Sequence, residues 1–153
     1  MRETMTRTAA RRLAVQLVFA AAAGTDLSVE DFFQSDYYSA LPPEDELFAE
    51  APDEKQRAYI TALVEGVAGH VNELDGYIEK YSRGWKLNRI SRTALSVLRC
   101  ALYEILYMDE EDVPDSVAVN EAVELAKGFD EPETVSFING ILGSFLRERE
   151  MAE

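Results

Sequence analysis

Residues 94–108 read ALSVLRCALYEILYM. Placed on a helix, Leu95, Val97, Leu98, Ala101, Leu102, Ile105 and Leu106 leave almost no polar side. A helix apolar nearly all round belongs inside a domain. It is too short to span a bilayer, and Arg99 and Glu104 interrupt it. The other apolar segments carry one stripe each, which predicts an all-α, compact single-domain bundle of six or seven helices around this buried central one.

Working outward, Thr6 can cap a first helix to about Ala23, with Ala10, Leu13, Ala14, Leu17, Val18 and Ala21 on its inner side. Thr8, Arg12, Gln16 and Phe19 fall on the opposite side, and an aromatic ring among polar residues suits stacking of an unpaired base. Ser28 and Asp31 start a short second helix, after which residues 36–54, rich in Pro and acid, read as a loop. Asp53 and Gln56 form a capping pair for a long stripe from Tyr59 to Tyr81, with a break expected near Gly69 or Gly76. Ser91 caps the central helix, and the acids at 109–112 oppose the helix dipole and end it. Pro114 and Ser116 open a helix that carries Val117, Val119, Ala122, Val123 and Ala126 inward and stops at Gly128. Pro132 and Glu133 start the last, whose inner residues run from Phe137 to Leu146.

The 153 residues carry a net charge of −14, which on its face argues against a phosphate-binding role. Charge placement alters that reading. Residues 2–12 hold four Arg against Glu3, and residues 80–99 hold Lys80, Arg83, Lys86, Arg89, Arg92 and Arg99 without an acid. Asp26 to Glu54 holds ten acids and no Lys or Arg. The arginines before LAVQLVFAAAAG resemble an export signal, but Gln16 interrupts the apolar run, and the helical periodicity already present before it favours a folded helix. The lone Cys100 excludes an internal disulfide and fits a reducing cytoplasm. With one His and one Cys, no His- or Cys-based metal or nucleophile site is expected, and no phosphate loop or cofactor signature appears. His70 reads as structural. Asn120 and Glu121 read as satisfied polar groups near the core.

Longer motifs say more than periodicity does. VPDSVAVNEAVELAKGF (113–129) followed by FINGILG (137–143) resembles the signature of the NusB family of bacterial transcription antitermination factors. RRLAVQLVF (11–19), LVEGVAGHVNELD (63–75) and LSVLRCALYEIL (95–106) resemble the family's first helix, middle and central helix, in order. The resemblance implies a non-enzymatic, cofactor-free cytoplasmic protein. It implies binding of single-stranded boxA RNA of nascent ribosomal transcripts with ribosomal protein NusE, within the RNA polymerase antitermination complex and without a membrane. It further implies that Arg7, Arg11, Gln16, Phe19, Tyr81, Lys127, Phe129, Glu133 and Phe137 lie at the RNA. Arg12 joins them on helix geometry alone. Phe19 stands where the family commonly has Tyr, and Ala94-Leu95 replace an acidic-basic pair. Two other readings stay open: a NusB-like fragment of a ribosomal RNA methyltransferase, and an interaction module that forms a homodimer through its first helix.

Overall fold

A computed structural model describes residues 6–22, 54–82, 86–108, 114–128 and 131–152. Every regular element among them is helical. They are α1 (Arg7–Ala22), α2 (Glu54–Gly69), α3 (Val71–Tyr81), a 3-10 turn (Leu87–Arg89), α4 (Arg92–Tyr107), α5 (Asp115–Lys127) and α6 (Pro132–Ala152). The chain divides into two compact units, residues 1–66 and 67–153. The expected short helix after Ser28, the acidic stretch 36–53 and Phe129 lie outside the described residues.

In the first unit, the Thr6 hydroxyl accepts the Ala9 N–H at 3.1 Å and caps α1 as its side chain allows. Ala10, Leu13, Ala14, Val15 and Val18 are buried. The inner face is therefore turned slightly from the expected one, with Val15 inside, Leu17 half-buried and Ala21 exposed. On α2, Tyr59, Ile60 and Leu63 are buried.

The second unit is built on α4, where Ala94, Val97, Leu98, Cys100, Ala101, Leu102 and Ile105 are buried. The Ser91 hydroxyl accepts the Ala94 N–H at 3.1 Å, so the helix begins where the sequence placed it. Of its two charged interruptions, Glu104 is buried and Arg99 points at α3. There the Arg99 guanidinium donates to both Asp75 oxygens at 2.8 and 2.9 Å, a bidentate geometry that fixes the register of the two helices. The chain breaks after Gly69, while Gly76 stays helical within α3.

Helix α5 corrects the expectation for its inner face. Ala118, Ala122 and Ala126 are buried one turn apart, whereas Val117 is 43% exposed and Asn120 faces solvent. Alanines at i, i+4 and i+8 present a smooth ridge that lets α5 approach α4 and α6 closely. Helix α6 buries Ile138, Ile141, Leu142 and Phe145. Its Arg149 donates to the Ile105 carbonyl at 2.8 Å, satisfying one of the orphan acceptors at the end of α4.

His70 packs its ring 4.5 Å from Tyr107 and 5.5 Å from Tyr103, a structural role as expected.

Removing one partner of a well-oriented, largely shielded pair leaves the other charge poorly solvated. Asp75→Ala should lower unfolding stability by about 2 kcal/mol, as read from the midpoint and slope of a urea transition followed by helical circular dichroism. A change within a few tenths of a kcal/mol would show the pair to be a mere surface contact.

Candidate nucleic-acid interface

The first unit places its arginines unequally. Arg7 is half-buried, donates from Nε to Gln56 Oε1 at 3.0 Å and lies 4.0 Å above the Tyr59 ring. Arg11 is only 5% exposed, its guanidinium 5.7 Å from the same ring. A cation over an aromatic face is held by the ring quadrupole. Arg11, expected at the RNA, is therefore a side chain packed inside its own unit in this structure. Tyr59 and Gln56, which hold these arginines, were not evident as functional residues. They come from a helix 49 residues away, and nothing local in the sequence joins them. The outer face is as expected: Arg12 and Gln16 are half-buried, and Phe19 is 38% exposed.

The second unit carries the remaining candidates. Tyr81, at the end of α3, donates its hydroxyl to Glu148 at 2.8 Å. The same carboxylate takes Lys80 Nζ at 2.5 Å. The Tyr81 ring also packs edge-on to Phe145 with centroids 6.2 Å apart, so it is held from two directions. The hydrogen bond from Lys80, with that from Tyr81, holds the Glu148 carboxyl below its ordinary range. Burial, reinforced by the bond to Glu148, pushes the Tyr81 phenol up.

Phe137 is half-buried on α6 and lines two clefts. One, of about 310 Å³, is shared with Tyr81, Gly140, Ser144 and Arg147. The other, of about 400 Å³, is shared with Arg89, Ser91 and Glu133. The structure thus brings Tyr81, Phe137 and Glu133 onto one contiguous surface. Lys127 is exposed and paired with Glu124 at 2.8 Å. Arg89 and Arg147 were not singled out by the sequence.

Among the described residues, no group of three His, Cys, Asp or Glu side chains could hold a metal ion. No described helix is long and apolar enough to cross a membrane.

The NusB family model matches residues 8–147. The chain belongs to the NusB family. It is 41% identical over 144 residues to transcription antitermination protein NusB of Levilactobacillus brevis, covering 94% of each chain. It is 38% identical over 147 residues to the NusB of Lactiplantibacillus plantarum, covering 95% of this chain and 98% of that one. A structure of T. maritima NusB superposes with a TM-score of 0.62 at 30% identity, covering 90% of this chain and 91% of the other. A chain in the crystal structure of antitermination factors NusB and NusE in complex with dsRNA gives 0.71 at 19% identity, covering 93% and 96%. That second likeness concerns the fold alone.

This NusB-family chain holds two phenols above their ordinary value. Tyr107 donates to Glu73, and that bond, with burial, pushes its pKa up to about 12. A raised folded pKa means that the stabilisation is complete below the unfolded value near 10. It is lost as pH rises from there through about 12. A spectrophotometric phenolate titration should therefore show Tyr107 among the last to ionise, and Tyr107→Phe should remove that late step. A late step of undiminished amplitude in Tyr107→Phe would contradict the assignment.

Proposed function

We propose that this chain acts by binding rather than by catalysis, as a cytoplasmic antitermination factor. Its ligand is the single-stranded boxA element of nascent transcripts, those of ribosomal RNA operons included. It binds this RNA together with NusE and so enters the RNA polymerase antitermination complex. The observation that carries the reading is Phe137. Its ring stands between two open clefts edged by a second ring, two guanidinium groups and a carboxylate. Phe19 beside Gln16 and Arg12 in the first unit supplies another stacking platform.

Single strands suit these features because their bases expose π-faces that a duplex hides. Stacking on an aromatic side chain is worth roughly 1–3 kcal/mol per base. Arg7, Arg12 and Lys127 are the phosphate contacts of the proposal. Contact with three or four phosphates gives a log–log salt slope of about −2 to −3 for single strands. That is modest, and a chain with a net charge of −14 repels RNA at long range. A partner that extends the cationic surface answers this, which is the part given to NusE. The relatives named transcription antitermination protein NusB support the antitermination part of this reading.

In an anisotropy titration, boxA RNA should bind more tightly with NusE present, and a duplex of the same sequence should compete poorly. Phe19→Ala should weaken binding by roughly fivefold or more, the equivalent of one lost base stack, with the helical content unchanged. Equal affinity for boxA and scrambled RNA, with and without NusE, would contradict the proposal.

A further inference from the structure

In the second unit, Lys80, Arg99, Lys127 and Arg149 each have an acidic partner: Glu148, Asp75, Glu124 and Asp115. Arg89 and Arg147 are different. Both are exposed, and neither has an acidic partner among the described residues. Arg147 makes one hydrogen bond, from its guanidinium to the Ser144 hydroxyl at 3.1 Å, which steadies it on the α6 surface. Each of the two lines a different cleft, and Phe137 belongs to both.

We infer that a single RNA strand crosses the unit over Phe137, seating one unstacked base in each cleft. Arg147 and Arg89 bind the phosphates on either side of that ring. The inference rests on the RNA-binding reading above and names the path and the two anchoring cations. The guanidinium fork matches two phosphate oxygens at once, and an arginine unengaged by a carboxylate gives up no ion pair to do so. In the first cleft the base meets the Tyr81 ring, already fixed by Glu148 and Phe145. The wall there is open at Gly140, where an added Cβ would meet nothing within 4 Å. In the second cleft Glu133 is part of the lining together with Arg89, and no ion pair to it is present among the described residues. A carboxylate accepts from an exocyclic amino group and repels a carbonyl, so this cleft prefers cytosine or adenine over uracil.

The test uses the full chain with NusE and fluorescein-labelled single-stranded boxA RNA, read by anisotropy over a range of salt. Arg89→Ala and Arg147→Ala should each weaken binding by about tenfold, a charge-assisted hydrogen bond's worth. Each should also flatten the log–log salt slope by about 0.7, one phosphate on a single strand. Gly140→Leu fills a cleft and changes no charge, so it should weaken binding and leave the slope alone. Lys55→Ala removes an exposed cation of the first unit and should change nothing. Unchanged affinity and slope in both arginine variants, with the parent chain still binding RNA, overturns the path. Loss of NusE affinity with RNA contact retained makes the clefts a protein interface and also overturns it. A parent chain that binds no RNA, with or without NusE, removes the antitermination reading together with the path.

Discussion

Helix α4 is the constraint on which the larger unit depends. Its residues at 94, 97, 98, 101, 102 and 105 form one broad apolar face, which buried Ser96, Cys100 and Glu104 widen. Each large side chain taken fully out of water contributes about 1.5–3 kcal/mol, so leaving any side uncovered is costly. Helices α3, α5 and α6 cover it. The positions of Tyr81, at the end of α3, and Phe137, in the second turn of α6, follow from that covering. The Arg99–Asp75 pair and the Arg149 bond to the Ile105 carbonyl then fix sliding and rotation, which apolar contact alone leaves loose.

The second constraint is electrostatic. In a chain with almost two acids for every base, Lys80, Arg99, Lys127 and Arg149 are taken up by carboxylates among the described residues. That pairing means that RNA reaches Lys80 or Lys127 by displacing Glu148 or Glu124. In the first unit the same competition is won by an aromatic ring, with Tyr59 drawing in Arg7 and Arg11. The cationic surface is therefore smaller than a count of arginines suggests, and among the described residues Arg89 and Arg147, which line the clefts at Phe137, have no ion pair.

What the sequence made legible was local. The Thr6 and Ser91 caps, the stop at Gly128, the break after Gly69 and the start at Pro132 depend on hydrogen-bond chemistry spanning a few residues. The rim position of Phe19 followed from a simple 100° rotation. The inner face of α5 was misread because its valines and alanines are both apolar. Close helix approach selects the small ones, and hydrophobicity alone ranks them the other way. The burial of Arg11 depends on a ring 48 positions further on, which no local pattern announces. Arg147 lay within an ordinary-looking charge run, RERE, and only its position in three dimensions beside Phe137 separates it from a solvated surface residue.

The central claim is that RNA meets this acidic bundle through its rings and its unengaged cations. The most direct measurement is an amide chemical-shift map of the isotope-labelled chain in its complex with NusE, before and after addition of single-stranded boxA RNA. The account predicts the largest changes at Gln16 and Phe19 in the first unit and at Tyr81, Arg89, Phe137 and Arg147 in the second. Changes confined to the outer face of α5, around Val117, Asn120 and Glu124, would contradict it.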